Sequence, residues 1–309
     1  MEILFVEPKF FEKVWGGTRL KEWFNFNIDG EKVGECWGIS ANSIHDCKIK
    51  SGIYKGKSLL ELWNNKREIF GAYDMDYFPI LIKFIDAHED LSIQVHPDDQ
   101  YAIINEGLKC GKSECWYVID CEKDSTAIIG HKPMTNKDLC YYIVNGNWEK
   151  VINYTPISKG GVYQIDAGCI HAIKKNTFIL EVQQNIDLTY RLYDYDRKEN
   201  RKIDLNNGIA AIHNPYKYNK TFPQMYLYNG YNKIEYIKTC NYALSKLEIN
   251  KNCHLRQMDT FIIFIVIDGN GKINDYNISK GDHLIISSGK EEFYIEGQLS
   301  IIQVHIPIL

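Results

Sequence analysis

The sequence predicts a mainly β protein built from two jelly-roll units, with a few short helices inserted in the first. Three observations carry that expectation. Short β-rich runs recur along the chain with Gly, Asn and Asp between them, the spacing of a sandwich or barrel. One strand-and-turn pattern occurs twice. Helix signals are few, and all of them fall before residue 151.

In chain order, the strand-like runs are residues 36–40, 78–85, 91–96, 115–119, 161–165 and 177–182, with several more after Asn241. Ser58 with Glu61 three positions on forms a capping box, in which a side-chain oxygen takes up a free backbone N–H; Gly71 closes that helix after Phe70. Asp98 and Asp99 favour the first turn of a second helix ending near Gly107, because carboxylates sit well against a helix's positive end. Residues 135–150 read as a third helical stretch.

The repeat aligns residues 157–168 with 278–289, both reading Ile-Ser-Lys-Gly at the start and Gly at the end, an offset of 121. Upstream, Trp116-Tyr-Val-Ile-Asp120 resembles Phe264-Ile-Val-Ile-Asp268, an offset of 148. The larger upstream offset falls where the first copy carries its helical insertion. Each copy is a strand closed by turns, where glycine supplies backbone angles other residues resist. The pattern resembles the second half of the cupin motif and so implies two double-stranded β-helix units. The division expected is 1–223 for a metal-binding unit with the helical insertion and 224–309 for a smaller, metal-free unit. Residues 199–223 form the connection, since Asn206-Asn-Gly208, Pro215 and Pro223 interrupt strand patterning there.

A length of 309 residues is comfortable for two domains, and 45% hydrophobic with 25% charged residues is the balance of a folded soluble protein. A net charge of -4 gives no electrostatic reason to bind nucleic acid or an anionic membrane, so any phosphate must be held by a few placed Lys or Arg residues. The N-terminal stretch has charges inside its apolar run and no small-residue cleavage site, so it is not read as a signal peptide. The longest apolar run, 261–267, is too short to span a bilayer. Nine scattered cysteines without a Cys-x-x-Cys pair suggest neither a disulfide framework nor a cysteine metal site; they read as reduced thiols in a cytoplasm. Expected partners are therefore a small molecule, with the chain a monomer or weak homodimer.

Chemistry concentrates around His96. Strand alternation puts Ser92, Gln94 and His96 on one face, with Leu91, Ile93 and Val95 on the other. Pro97 stops the strand. Glu114 stands at the start of another run, with Lys112 two positions earlier, and His171 follows Gly168 at the end of the repeated hairpin. Two His, one Glu and one Gln make a nitrogen and oxygen set that suits one zinc ion per chain, with room for water or substrate. The second copy is an internal control: its equivalents of Glu114 and His171 are Ile262 and Glu292, and it has no Gln-x-His. The remaining seven histidines lack such company and read as structural or solvent-facing.

Four ordered blocks then resemble the type I mannose-6-phosphate isomerases, most of all their short bacterial members. They are Phe-Pro-Ile-Leu-Ile-Lys83 leading to Leu-Ser-Ile-Gln94-Val-His96-Pro, Gly-Lys112-Ser-Glu114-Cys-Trp, Asp-Ala-Gly-Cys-Ile-His171-Ala-Ile, and Glu181-Val-Gln-Gln-Asn-Ile-Asp187-Leu-Thr-Tyr-Arg191. Val14-Trp15-Gly-Gly and Gly34-Glu35-Cys-Trp37 also fit. The resemblance implies zinc held by Gln94, His96, Glu114 and His171, with Gln94 either a ligand or a holder of the ion's water. It implies Arg191 beside a sugar-phosphate substrate, and Lys83, Lys112, Glu181 and Asp187 in or near the pocket.

The implied activity is interconversion of mannose 6-phosphate and fructose 6-phosphate through a cis-enediol. Asp187 and Glu181 are both candidate bases, Asp187 ahead because strand period places it on the side of Arg191. Lys83 and Lys112 are candidates for phosphate binding or ring opening. The chain departs from the family in two places. Gly111 stands where many relatives have His, and Ile186 and Leu188 stand where small polar residues are usual. Two alternatives compete: a non-catalytic metal- or sugar-binding cupin, and an iron-dependent cupin oxygenase. Retention of the Arg191 block disfavours the first, and a Gln in the ligand set disfavours the second.

Overall fold

The computed structural model describes residues 1–307 apart from 25, 27, 200 and 290. Among these, strands form sheets of ten, six and five members. The six-stranded sheet runs Val162–Ile165, Glu114–Cys121, Thr177–Gln184, Ile80–Ala87, with Lys9–Gly17 and Val33–Ile39 completing one edge. The five-stranded sheet runs Tyr190–Tyr193, Ile93–Val95, His171–Ala172, Thr126–His131, Ile152–Pro156. The ten-stranded sheet belongs mostly to the C-terminal third, but Ile3–Glu7 joins it by pairing with His283–Ile286. The first strand of the chain is therefore part of the last unit's sheet.

The six-stranded sheet is covered on both faces. One face shares a core with the ten-stranded sheet, where Ile82, Phe84, Phe178 and Leu180 meet Leu244, Ile263 and Ile302. The other shares a core with the five-stranded sheet, where Ile85, Trp116 and Val118 meet Ile129 and Cys169. Burial on both sides explains why Ile80–Ala87 and Thr177–Gln184 lack the apolar-polar alternation of a half-exposed strand. It also makes their polar members, Lys83, Glu181, Gln183 and Gln184, conspicuous, because a buried polar group must find a partner.

The repeat holds at the level of register. Val162 to Ile165 pair with Tyr117 to Glu114, and His283 to Ile286 pair with Ile265 to Ile262, which are the same pairs displaced by 121 and 148 residues. Gly160 and Gly281, equivalent by the same offset, both take positive φ, 78° and 96°. The structure is mainly β with short helices, and the expected strands are all present.

Two helix expectations need correction. The Ser58-capped helix is Leu59–Asn65, with Ser58 accepting from the Glu61 N–H as expected, but it ends because Lys66 leaves helical angles (φ -138°); Gly71 closes a separate turn, Arg67–Ile69. Residues 135–150 split into Asn136–Val144 and Trp148–Val151, because Gly146 takes φ 69° between two asparagines. Asn206-Asn-Gly208 interrupts the strand pattern as expected, by lying inside the helix Leu205–Ala211. A Cβ on Gly208 would stand 2.4 Å from Leu192 Cδ2, so this glycine serves close helix-to-strand approach and not a turn. The helix Arg19–Phe24 carried no sequence signal. Asp98 caps Asp99–Glu106 and Gly107 ends it in the left-handed region, as expected.

Candidate metal centre

Strand pairing assembles the site. Gln94 lies opposite His171 on one side and Arg191 on the other, so these three residues form one row across three strands of the five-stranded sheet. Directly paired residues point to the same face of a sheet. That face looks across at the six-stranded sheet, where Glu114 lies opposite Gln183, and Glu181 lies opposite both Trp116 and Lys83. Lys83 in turn lies opposite Trp37. His96 stands just past the end of Ile93–Val95, and Lys112 just before Glu114–Cys121.

Between the two sheets, donor atoms of His96, Glu114 and His171 lie within 4.8 Å of one another, all three side chains buried. Glu114 Oε2 is 3.4 Å from His96 Nε2, and Glu114 Oε1 is 3.6 Å from His171 Nε2. His171 Nδ1 is 2.9 Å from the Cys169 carbonyl, which can only accept, so Nδ1 carries the proton and Nε2 presents a lone pair. Neither ring nitrogen of His96 has a hydrogen-bond partner among the described residues. Trp116 Nε1 donates to Glu114 Oε1 at 2.9 Å and holds that carboxylate in place. A buried, partnerless imidazole beside a second imidazole and a carboxylate fits a divalent cation, which would satisfy all of them at once. Gln94 sits at the rim of this set, with Nε2 3.2 Å from His171 Nε2 and Oε1 3.5 Å from Ser92 Oγ.

Electrostatics favour the ligand forms. Burial, with Lys112 nearby, pushes His96 down to about 3, and burial likewise lowers His171, so both rings are neutral. Burial opposes ionisation of Glu114, but Lys112, with Nζ 3.0 Å from Oε2, and the two histidines overcome it and hold the carboxyl well below its usual range. Glu181 goes the other way: burial and then the Glu114 charge push it up to about 7, against Lys112 and Lys83. Lys112 Nζ lies 3.9 Å from Glu181 Oε1 and so stands between the two carboxylates.

The remaining expected site residues lie around this centre. Lys83 Nζ is 2.8 Å from Asp187 Oδ1 and 4.3 Å from the Trp37 ring centroid. Asp187 is exposed and belongs to a loop between Thr177–Gln184 and Tyr190–Tyr193. Strand period does not run through that loop, so the reason for placing Asp187 with Arg191 does not hold. Arg191 donates from Nε to Ser92 Oγ at 3.2 Å and from Nη1 to the Lys202 carbonyl at 2.9 Å. Trp15 and Trp37 are both buried, as core residues should be, although Trp37 also floors Lys83. Gly111 leaves no room for a side chain: a Cβ there would meet Asp98 C at 2.3 Å and Asp99 N at 2.5 Å.

Sequence reasoning passed over Gln184. Its Oε1 accepts from the Ser113 N–H at 2.9 Å and its Nε2 donates to Asp99 Oδ1 at 2.9 Å, which also accepts from the Gly111 N–H. One amide thus joins the segment after His96 to the segment carrying Lys112 and Glu114. The available signal was a Gln-Gln pair at the end of a mostly apolar strand.

The fold and this donor set define a cupin-type protein with a buried His–Glu–His centre. Residues 3–131 match the family model for the phosphomannose isomerase type I catalytic domain, and residues 232–306 match that for the mannose-6-phosphate isomerase cupin domain. Over 99% of both chains the sequence is 38% identical to mannose-6-phosphate isomerase ManA of Bacillus subtilis, and it is 35% identical over 98% of both to the mannose-6-phosphate isomerase of Streptococcus mutans. The crystal structure of the Bacillus subtilis enzyme superimposes with a TM-score of 0.95 at 37% identity, covering 99% of this chain and all of that one. The chain belongs to the type I mannose-6-phosphate isomerase family and is an aldose–ketose isomerase of that kind.

Proposed function

We propose that the protein is a zinc-dependent enzyme interconverting mannose 6-phosphate and fructose 6-phosphate through a cis-enediol. The observation that carries the metal dependence is the partnerless, neutral His96 beside His171 and Glu114 in a buried gap between two sheets. His96, Glu114 and His171 would hold the ion, with Gln94 completing the set or holding its water. Two imidazoles with a carboxylate suit zinc and leave positions for a ligand. When bound, the ion supplies Lewis-acid polarisation of sugar oxygens, worth several kcal/mol on an enediolate-like transition state.

The chain's own residues supply the rest. Isomerisation takes the proton from C2 of the aldose and returns it to C1, while a hydroxyl proton moves between O1 and O2. Glu181 is the better placed base: it is buried on the wall facing the centre, and its carboxyl titrates near neutrality, where a group can both take and return a proton. Asp187 remains the alternative, but the Lys83 ammonium at 2.8 Å engages it. Lys112 balances Glu114 and Glu181 and can steady charge developing beside them. Arg191, fixed by Ser92 and the Lys202 carbonyl, presents a planar fork to sugar hydroxyls or phosphate. Lys83 with Asp187 closes the rim.

In this proposal residues 1–223 carry the chemistry. The C-terminal unit places Ile262 and Glu292 where the first copy has Glu114 and His171, and it contributes none of the donors. Free thiols at all nine cysteines, and no helix long and apolar enough to cross a membrane among the described residues, support a cytoplasmic enzyme acting on a small sugar phosphate. The test is an assay coupling fructose 6-phosphate formation to a dehydrogenase, with elemental analysis of the same preparation. Turnover should vanish on chelation and return with zinc; full turnover in metal-free protein would refute the zinc requirement.

A further inference from the structure

His96 and His171 are held in different ways. A metal-binding histidine ordinarily gives its second ring nitrogen to a carbonyl or carboxylate, which fixes the ring. His171 does so through Nδ1 and the Cys169 carbonyl at 2.9 Å. Neither nitrogen of His96 has such a partner among the described residues. The ring is therefore oriented by the main chain on either side of it, and one residue outside the donor set braces that main chain.

That residue is His213, two positions past the helix Leu205–Ala211. Its Nε2 lies 2.9 Å from Asp98 Oδ2, and a carboxylate oxygen only accepts, so Nε2 donates. The His213 N–H donates to the Gly168 carbonyl at 3.0 Å, and the Gly168 N–H donates to the His96 carbonyl at 2.8 Å. The ring of His213 lies directly on Gly168, where a Cβ would stand 2.3 Å from its Cγ. These contacts close a loop around His96-Pro97-Asp98: the carbonyl of the first residue and the carboxylate of the third are tied to one unit, Gly168 with His213. Core packing does not account for this histidine, whose side chain is 50% exposed. At the other end of its segment the Asp204 N–H donates to the Arg191 carbonyl at 2.8 Å, so residues 204–213 reach from Arg191 to the loop after His96.

We propose that His213 is a positioning residue for the metal centre, fixing His96 through Asp98 and Gly168 in place of a hydrogen bond on the imidazole. This role presupposes that His96, Glu114 and His171 hold a cation. His213 touches neither the ion nor the sugar; it acts by holding the His96 main chain where the ring points into the gap between the two sheets.

The test is zinc titration of the full-length protein, stripped by chelation, in competition with a chromophoric chelator. His213→Ala should raise the zinc Kd by about tenfold or more, the usual cost of losing a group behind a metal ligand, with Tm close to wild type because the side chain is half exposed. His213→Gln, whose amide can still donate to Asp98, should keep most of the affinity. Asp98→Ser keeps a helix cap but is too short to reach His213, and it should match His213→Ala. The two together should cost little more than either alone, as residues acting through one contact do. Wild-type affinity in His213→Ala overturns the inference, and so does a loss that His213→Gln shares in full or that adds to the loss in Asp98→Ser. A wild type that takes up no zinc would instead overturn the metal centre itself.

Discussion

Glu181 and Glu114 face each other across one lysine, yet their protonation is pushed in opposite directions. Glu114 keeps its charge because Lys112 and two histidines attend it, while Glu181 inherits the cost of burial beside that charge. Two carboxylates separated in this way divide the labour: one suits a cation, the other a proton. Replacing Glu181 by Gln keeps shape and hydrogen bonding but removes the ability to take a proton. Glu181→Gln should lower kcat by about 10²- to 10⁴-fold, the usual contribution of a general base, with zinc content unchanged by elemental analysis. Near-normal turnover would move the role to Asp187.

At the level of elements, the site depends on how closely loops approach one another. Gly111 packs on the backbone of residues 97–99, Lys112 N–H donates to the Pro97 carbonyl, and Gln184 clamps Ser113 and Asp99. Backbone atoms cannot give way as a flexible side chain can. Gly111→Ala should therefore cost about 1–3 kcal/mol by urea denaturation and weaken metal retention, since it drives apart the segments bearing His96 and Glu114. Wild-type stability in that variant would show that the loop at 97–99 yields. The same contacts mark what a sequence can reveal. Strands, the Ser58 and Asp98 caps and the repeat were legible because period, cap and turn residues act locally. The cluster of His96, Glu114 and His171 was legible because each of the three lies in or beside a strand with clear punctuation. Gly208 and Gln184 were not, because a helix pressed on Leu192 and an amide bridging two loops are tertiary facts. The strand-period argument for Asp187 failed for a related reason: it was extended through a loop whose course is set by Asn185, which donates to the Ala41 and Phe78 carbonyls.

For the whole molecule, the second unit repeats the strand pairing of the first but fills the position of Val162 with His283. That histidine is buried where the ten-stranded sheet meets the six-stranded one: its ring centroid lies 5.5 Å from that of Phe84, and Gly38 leaves the space it needs, since a Cβ there would sit 2.0 Å from its Cδ2. Burial pushes its pKa down to about 4 from the ordinary value of 6.5. The unfolded chain then binds a proton that the folded chain refuses between those values. Stability is complete above pH 6.5 and falls as the pH drops through that window, by about 3 kcal/mol for this residue. His283→Leu removes the titration while keeping an apolar filling. Urea unfolding at pH 7 and at pH 4.5 should show wild type losing more stability on acidification than His283→Leu, by roughly 2–3 kcal/mol. The comparison between variant and wild type cancels the acid response of His96, His171 and His305, which both share. Equal losses would mean that the junction opens to water before His283 is protonated, and that the two units are held together elsewhere along the shared core.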